Sequence, residues 1–348
     1  MPRSFIAGVG MYVPENVVTN FDLMKYMDTN DEWIQANTGI KERRFAKRLG
    51  ETTATMGIEA AKMAIENAGT TAQDIDFIVF ATITPDYNFP GCGVIVQREL
   101  KMKEIAALDI RNQCSAFIYA LSVADQFIRS GMYKNVLVIG SEKQSGWLDF
   151  STRGRKVSTL FADGAGALVL QATEEPGLGI LSTHLHCDGA GAESLVCFNP
   201  GTHGNHWVKD AADYVETELA HTFVSKEMID KGQIYPHMDG AVVMKRAIVK
   251  IPEVIREALA ANNKKEEDIN MLILNQSNLR IAEYVQKKLG LTNDEVFTNI
   301  QRYGNTTAAS IPIAFYEALQ EGKVKKGDLL CFASYGSGFT WSSALIQL

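Results

Sequence analysis

The stretch IREALAANNKKEEDINMLILNQS, residues 255–277, decides the fold because an earlier stretch follows the same plan. It runs from an amphipathic helix through a charged break and an Asp-Ile pair into a short apolar strand. AAKMAIENAGTTAQDIDFIVFAT, residues 60–82, has the same order, with Asp74 matching Asp268. Helices that alternate with buried strands are typical of a layered α/β fold.

Two further pairs of similar segments support this repeat. Their members occur in the same order, about 190 residues apart: RSGMYKNVLVIGSE (129–142) with QEGKVKKGDLLCFASYG (320–336), and GAGALVLQ (164–171) with WSSALIQL (341–348). Three pairs in one register predict a chain of two similar halves, residues 1–175 and 176–348.

One region has no counterpart in the first half. Residues 178–240 hold all six histidines and are typical of a loop-rich insertion with helical pieces, its main part at about 200–236. Insertions of this size are usually surface loops or lids over a site. Within it, HLHCDG (184–189) reads as a strand and a turn, with too few ligands for a metal site. We therefore expect no metal.

Composition limits the function classes. The net charge of −7 argues against a general nucleic-acid binder. No apolar run reaches the length of a membrane span, and the N-terminus lacks the pattern of a signal peptide. The five cysteines are odd in number, scattered and without a C-x-x-C motif, which suits a reducing cytoplasm. We expect a cytoplasmic protein that binds neither nucleic acid nor membrane.

ALDIRNQCSAFIYALSVADQFIRSG, residues 107–131, carries the sharpest local signal. A short strand ends near Ile110, a polar turn follows, and Cys114 opens a strongly apolar helix. A helix N-terminus favours an anion and so lowers a thiol pKa, which would make Cys114 a nucleophile. The alternative is that Cys114 is a small buried apolar residue.

Polar and small residues cluster at three other places. In LILNQSNLRI (272–281) a buried strand runs into amides and a hydroxyl, which predicts a hydrogen-bond network or a ligand. FADGAGALVL (161–170) and YGSGFTWSSALIQL (335–348) place glycines before strands, either as tight turns or as backbone donors for an oxyanion. Neither has the spacing of a dinucleotide site. Asn305 precedes an apolar helix, where it is either a turn residue or a site residue.

These pieces together resemble the β-ketoacyl-acyl carrier protein synthase III family of the thiolase superfamily, over nearly the whole chain. The matching motifs are DEWIQANTGIKERRFA (31–46), DIRNQCSAF (109–117), FADGAGALVL (161–170), NQSNLRI (275–281), YGNTTAASIPIA (303–314) and YGSGFTWSSAL (335–345). The resemblance implies a thiolase-like, five-layered αβαβα fold of two pseudo-symmetric halves, usually assembled as a homodimer.

The resemblance also implies the catalytic groups. Cys114 matches the thiol that takes an acyl group from coenzyme A or a carrier protein, and Asn305 matches the asparagine that binds the second thioester carbonyl. The backbone N–H groups of Cys114 and Ser337 match the oxyanion hole. The family sequence His-Gln-Ala-Asn reads Asn275-Gln276-Ser277-Asn278 here, so Asn275 stands at the position of the catalytic histidine.

The binding residues follow from the same resemblance. They are Trp33 and Arg155 for the adenine end of coenzyme A, Asn278 for the pantetheine arm, Phe89 for the partner subunit's acyl pocket, and Arg280 and Lys245 for docking an acidic carrier protein. Asn37 replaces a family arginine that grips coenzyme A, and Ser337 replaces a glycine.

The predicted activity is that of an acyltransferase of fatty-acid biosynthesis. An acyl group is loaded from acyl-coenzyme A or an acyl carrier protein onto Cys114, and a malonyl-type thioester then condenses with it, without a cofactor. An asparagine amide can donate a hydrogen bond as the histidine does, but it cannot act as an acid or base. Two alternatives stay open: acyl transfer or thioester hydrolysis without decarboxylation, and a supporting subunit of a mixed dimer. The acyl chain length, and whether Asn275 is natural or engineered, also stay open.

Overall fold

The structure is a computed structural model that describes residues 2–47, 49–202 and 224–348. Its strands are β1 (Arg3–Tyr12), β2 (Val17–Thr19), β3 (Glu42–Arg44), β4 (Phe77–Ala81), β5 (Ala106–Ile110), β6 (Asn135–Lys143), β7 (Asp163–Thr173), β8 (Gly179–Cys187), β9 (Leu195–Val196), β10 (His237–Met238), β11 (Met271–Leu274), β12 (Val296–Phe297), β13 (Leu329–Gly336) and β14 (Thr340–Gln347).

The α-helices are α1 (Asn20–Leu23), α2 (Asp31–Thr38), α3 (Thr53–Asn67), α4 (Cys92–Glu99), α5 (Ala116–Arg129), α6 (Arg155–Ser158), α7 (Lys226–Asp230), α8 (Gly240–Ala261), α9 (Leu279–Leu289), α10 (Ile300–Tyr303) and α11 (Ser310–Gln320). Short 3₁₀ helices lie at Ala72–Asp74, Gln113–Ser115, Gln144–Trp147, Thr152–Gly154, Gly189–Ser194, Glu266–Asp268 and Thr307–Ala309.

Two five-stranded sheets share one topology. The first has the order β1-β7-β6-β4-β5 and the second the order β8-β14-β13-β11-β12. In each sheet three neighbouring strands are parallel, namely β6-β4-β5 and β13-β11-β12. The other two pairings of each sheet are antiparallel, namely β1-β7 and β7-β6 in the first and β8-β14 and β14-β13 in the second. The predicted α/β repeat is thus confirmed at the level of strand order. A boundary between residues 175 and 176 stays a prediction; the last strand of the first sheet ends at Thr173 and the second sheet begins at Gly179.

The layers follow from which faces the strands bury. Along β4, Phe77 and Val79 pack into a central core with α5, α11 and the second sheet, whereas Ile78 and Phe80 face an outer core with α3 and α4. Strands buried on both faces require the near-continuous apolar sequence seen here. Helices α8 and α9 cover the outer face of the second sheet. The predicted five-layered αβαβα arrangement is confirmed. No helix in the described ranges combines the length and apolar character that crossing a bilayer needs.

The region without a counterpart is shorter than the sequence indicates. Residues 179–187 form β8, which pairs along its whole length with β14 and completes the second sheet. The expectation of a loop-rich insertion from 178 is therefore wrong at its start, since alternating polar and apolar residues there build an ordinary strand. The HLHC segment, read as strand and turn, does lie on β8. Most of the predicted insertion at about 200–236, namely residues 203–223, lies outside the described residues.

Glycines let the two halves pack closely. A Cβ at Gly140 on β6 would collide with the Ala308 carbonyl oxygen of the second half, and one at Gly166 would lie 2.6 Å from the Pro312 side chain. Gly164 and Gly166 lie inside β7 rather than in a turn before it. Their small size therefore serves helix–strand contact, because only glycine leaves room for it.

Candidate active site

A cavity of about 710 Å³ opens where the carboxyl ends of the central strands of both sheets meet. Five of the predicted site residues line it: Trp33, Cys114, Asn278, Arg280 and Asn305. Its volume falls in the range of small-molecule sites. Residues on both sides of the segment 203–223 also contribute to its wall, through Leu195, His237 and Met238.

Cys114 lies in the 3₁₀ helix Gln113–Ser115, which we call the Cys114 turn, directly before α5. The thiol-bearing residue is 6% exposed. The second half holds this turn in place: the Ser334 hydroxyl donates to the Cys114 carbonyl oxygen at 2.7 Å. A Cβ on Gly336 would lie 3.0 Å from the Cys114 Cβ, so only glycine fits there without a shift.

The thiol of Cys114 does not have the lowered pKa that the sequence predicts. Burial raises its pKa to about 12, and the charge of Glu142 adds to the increase. The backbone N–H of Cys114 and the side chain of Asn275 act in the opposite direction but do not outweigh burial. The helix begins at Ala116, so the thiol lies before the helix N-terminus rather than at its first residue.

The side chain of Asn275 is buried beside Cys114 rather than on the cavity wall. Its Oδ1 lies 2.6 Å from the Ser310 hydroxyl, which donates to it. Its Nδ2 is buried and makes no hydrogen bond. The Asn275 amide is close enough to the thiol to lower the Cys114 pKa. Its Nδ2 nevertheless has no hydrogen-bond partner among the described residues, so it is a free donor. A buried donor without a partner is costly, which marks a place prepared for an acceptor.

Asn305 belongs to the second half but is fixed by the first. Its backbone N–H donates to the Leu160 carbonyl and its carbonyl accepts from the Ala162 N–H, both at 2.9 Å. The Thr307 N–H donates to Oδ1 at 2.9 Å. The Nδ2 group therefore carries the free protons, and no described residue accepts them. Two amides thus present donors on the side of Cys114.

The predicted oxyanion donors lie in adjacent segments. Ser337 directly follows Gly336. A Cβ on Gly336 would lie 3.1 Å from the Cys114 backbone nitrogen, so the two segments are in contact. Within the described residues no acceptor is found for the Ser337 backbone N–H. The Ser337 hydroxyl donates to the Leu195 carbonyl and so is directed away from a catalytic role.

The predicted coenzyme A residues gather at one side of the cavity. The Arg155 guanidinium lies 5.2 Å from the ring centre of Trp33. The Asn278 side chain caps α9 through the Arg280 N–H at 2.9 Å and donates to the Asn37 carbonyl at 2.8 Å. Asn278 therefore has a structural role as well as a place on the wall.

Three predicted residues lie on the surface. Arg280 is exposed at the cavity, and Lys245 is exposed on α8 next to the wall residue Met244. Neither forms an ion pair within the described residues. Phe89 is 87% exposed and does not reach this chain's own cavity.

The sequence analysis did not identify Ser310 and Thr307, which contact the two amides, or the nearby Glu142. The Ser310 hydroxyl, 2.6 Å from Asn275 Oδ1, is also 2.9 Å from the Thr307 carbonyl oxygen. Thr307 has a φ of +46°, unusual for a β-branched residue. Glu142 is fully buried nearby. The polar run that follows Asn305 was the only sequence signal for Thr307 and Ser310, and Glu142 had none.

His184 and His186 both contact one carboxylate. Their ring nitrogens lie 3.1 Å and 2.6 Å from the two carboxylate oxygens of Glu257. Over the described ranges, no three His, Cys, Asp or Glu side chains are arranged to hold a metal ion.

Two family descriptions match the chain. Residues 108–189 match 3-oxoacyl-[acyl-carrier-protein (ACP)] synthase III, and residues 259–348 match the C-terminal part of the same family. The first match contains Cys114, and the second contains Asn275 and Asn305.

Individual proteins agree with these matches. The chain is 42% identical over 342 residues to the β-ketoacyl-[acyl-carrier-protein] synthase III of Aquifex aeolicus, with 98% of both chains covered. The crystal structure of 3-oxoacyl-[acyl-carrier-protein] synthase III from Aquifex aeolicus matches with a TM-score of 0.87 and 41% identity, over 99% of this chain and 100% of that one. A priming β-ketosynthase of the R1128 polyketide pathway matches with a TM-score of 0.86 and 29% identity, over 99% and 96%.

Proposed function

Because this chain belongs to the β-ketoacyl-[acyl-carrier-protein] synthase III family of condensing enzymes, we propose that it loads an acyl group onto Cys114 and condenses it with a malonyl-type thioester. The observation that carries the proposal is that the buried Cys114 thiol and the Asn305 amide line one cavity, with the unpaired Asn275 amide buried beside the thiol. These are the groups that acyl transfer followed by enolate formation requires.

In the first step the Cys114 sulfur attacks the carbonyl of an acyl thioester. The new thioester bond forms to Cys114, the bond to the departing thiol breaks, and that thiol takes the proton that Cys114 gives up. The backbone N–H groups of Cys114 and Ser337 stabilise the developing oxyanion. Because burial raises the Cys114 pKa to about 12, little thiolate exists before substrate binds, and deprotonation accompanies attack.

In the second step a malonyl thioester loses carbon dioxide. The resulting enolate carbon attacks the acyl group on Cys114, a carbon–carbon bond forms, and the Cys114 thiolate leaves and regains a proton. Asn275 Nδ2 and Asn305 Nδ2 donate to the enolate oxygen. Asn275 occupies the family's histidine position, and its amide supplies the donor without the acid or base function.

A second candidate function is acyl transfer or thioester hydrolysis without decarboxylation. The observation that favours it is that Asn275 lies behind the cavity wall, so its reach toward a bound thioester is short. Losing one oxyanion donor costs about 100-fold or more in rate. We favour condensation because Nδ2 of Asn275 is unpaired and lies on the side of the thiol.

The substrates enter from the side of Trp33 and Arg155, whose 5.2 Å contact must open for the ring and the guanidinium to hold the adenine of coenzyme A between them. Asn278 contacts the pantetheine arm. Arg280 and Lys245, exposed and without ion pairs in the described residues, dock an acidic acyl carrier protein. The chemistry uses no metal or cofactor, and the chain acts in the cytoplasm.

We also propose a homodimer. Strand β5 lies at the edge of the first sheet, and among the described residues it pairs only with β4. Leu108 on it is 40% exposed, and Tyr87 and Phe89 nearby are 60% and 87% exposed. An unprotected edge beside exposed apolar side chains invites pairing with another chain. Phe89 then reaches the partner's acyl pocket.

Intact-mass measurement with a panel of acyl-coenzyme A chain lengths tests the first step. We expect one acyl adduct, absent from Cys114→Ala and present in Cys331→Ala, whose thiol is equally buried but distant from the cavity. If no chain length gives an adduct, both candidate functions are wrong. An adduct formed only with a related intact subunit would indicate a supporting role instead.

Release of carbon dioxide from a malonyl thioester tests the second step. We expect decarboxylation by the unchanged protein that Asn275→His increases and Asn305→Ala abolishes. Acylation without any carbon dioxide release would leave the second candidate. Comparison of short, long and branched acyl groups distinguishes fatty-acid biosynthesis from a specialised pathway.

A further inference from the structure

Glu142 is a buried carboxylate that the two steps above do not use. It lies near the end of β6 and is fully buried. The Thr84 hydroxyl donates to it at 2.7 Å, the Thr82 hydroxyl at 3.2 Å and the Ile83 N–H at 3.2 Å. No lysine, arginine or histidine of the described residues forms an ion pair with it. A buried charge held only by neutral donors is costly and needs a reason.

Glu142 faces the turn that follows Asn305. Gln144 Nε2 lies 3.2 Å from the Thr307 hydroxyl oxygen and 3.5 Å from the Glu142 carboxylate, so it links the two. The Thr307 hydroxyl is itself close enough to act on the carboxylate. Two residues earlier on β6, Gly140 allows the Ala308 carbonyl to lie against the strand.

Thr307 in turn orients both amides. Its N–H donates to Asn305 Oδ1, and its carbonyl oxygen shares the Ser310 proton with Asn275 Oδ1. A positive φ at a β-branched residue costs free energy and persists only where the surroundings fix it. The surroundings that fix Thr307 include Gln144 and Glu142.

We propose that Glu142, acting through Gln144, is the positioning residue that holds Thr307 and thereby aims the Nδ2 groups of Asn275 and Asn305 at the enolate. The proposal rests on the proposed function, since it concerns the condensation step of that same site. Glu142 contacts neither substrate nor the reacting atoms, so it positions the two amides only through the turn.

The same carboxylate also acts on the thiol. After burial, which is the main cause, its negative charge contributes to the raised pKa of Cys114. Removing the charge therefore assists thiol ionisation, while loosening Thr307 impairs the amide donors. Decarboxylation should therefore fall without a loss of acylation, which a merely structural role would not produce.

The test measures both half-reactions separately in Glu142→Gln, Thr307→Val and the control Thr82→Val. Thr82→Val removes a donor to the same carboxylate but leaves the link to Thr307 intact. Acylation is measured by intact mass with acyl-coenzyme A. Decarboxylation is measured with a malonyl thioester, and thermal unfolding reports folding.

In Glu142→Gln we expect acylation unchanged or faster, and decarboxylation reduced ~10- to 100-fold, as for a small displacement of catalytic groups. Thr307→Val should lose decarboxylation to a similar extent. Its acylation should not become faster, because the Glu142 charge near the Cys114 thiol is unchanged. Thr82→Val should resemble the unchanged protein in both.

Equal losses in both half-reactions of a folded Glu142→Gln, or unchanged decarboxylation in it, would overturn the proposal. If Glu142→Gln does not fold, unchanged decarboxylation in Thr307→Val is enough to overturn the proposal. Failure of the proposed function is distinct, because the unchanged protein would then form no adduct or release no carbon dioxide.

Discussion

The two halves build the same turn and use it differently. The Cys114 turn begins with Gln113 at a φ of +48°, and the turn at Thr307–Ala309, which we call the Thr307 turn, begins at +46°. Each is a 3₁₀ helix that leads into a central apolar helix. By this register Cys114 corresponds to Ala308. One turn therefore carries the proposed nucleophile, and the other carries no thiol but donates a backbone N–H to the Asn305 amide.

Each turn is held by the opposite half. Ser334 and Gly336 of the second half fix the Cys114 turn, whereas Gly140 of the first half accommodates the Thr307 turn. A repeated fold thus supplies two equivalent frames, and side-chain differences within them divide the chemistry. Five changes test this division, from the largest expected effect to the smallest.

Gly140→Ala should have the largest effect, because its Cβ would collide with the Ala308 backbone carbonyl. We expect a loss of ~1–3 kcal/mol in the free energy of unfolding, as for overpacking, and loss of decarboxylation. Chemical denaturation and carbon dioxide release measure these. Gly146→Ala, which meets nothing within 4 Å, is the control. If Gly140→Ala is as stable and active as the control, the Thr307 turn does not depend on the first half.

Glu142 should make stability depend on pH. Burial raises its pKa from 4.5 to about 7, so folding favours the protonated form. The stabilisation that Glu142 contributes is fully present below pH 4.5 and is lost as pH rises through about 7. Against Glu142→Gln, we expect the unchanged protein to lose up to ~3 kcal/mol between these limits. Chemical denaturation of both proteins at pH 5 and pH 8 measures the difference in their free energies of unfolding. A difference that is the same at both pH values would contradict the prediction.

Gly336→Ala tests the reciprocal support of the Cys114 turn. Its Cβ would lie 3.0 Å from the Cys114 Cβ, so the turn must shift by a few tenths of an ångström. Acylation should slow ~10- to 100-fold, because the thiol and the oxyanion donors move apart. Intact-mass kinetics measure it, again against Gly146→Ala. Unaltered acylation would mean that the contact does not set the geometry.

Ser310→Ala should affect the Asn275 amide more than the thiol, although the Gln276 N–H also loses its acceptor. Without its hydroxyl, Asn275 Oδ1 loses its donor and the amide can rotate. Decarboxylation should fall ~10-fold, somewhat less than for loss of an oxyanion donor, while acylation stays within twofold. Ser343→Ala, buried on β14 and hydrogen-bonded to the Val254 carbonyl, is the control for removing a buried hydroxyl. An equal fall in both half-reactions would place Ser310 in the fold rather than the site.

Lys245→Glu and Arg280→Glu should have the smallest effect. Both residues are exposed, so a charge change should raise the KM for carrier-protein substrates only several-fold and leave kcat unchanged. Lys62→Glu on α3, exposed at the far face of the first half, is the control. Steady-state kinetics at two salt concentrations measure it. An effect of the same size from Lys62→Glu would indicate a general charge effect.

Much of the fold follows from the sequence because strands buried on both faces and apolar helices leave strong periodic signals. The repeat predicted two matching sheets, and Cys114 was expected between a strand and an apolar helix, where it lies. The start of β8 was misread because its histidines and serine resemble loop composition. Local pattern alone does not reveal that β8 pairs with β14, which lies at the far end of the same half.

The properties of the site depend on burial, which the sequence does not give directly. A helix N-terminus predicted a lowered pKa for Cys114, but desolvation dominates. Glu142 and Ser310 carry no motif of their own, and Thr307 has no feature that announces a positive φ. Their roles follow only from which side chains meet across the junction of the halves.

The mutual support of the two turns has an evolutionary meaning. If the halves arose by duplication of one ancestral unit, they could diverge freely on their outer helices but not where they meet. Gly140 and Ala308, or Gly336 and Cys114, form contacts in which a larger residue on one side requires a compensating change on the other. The reaction could therefore specialise only as fast as both copies changed together.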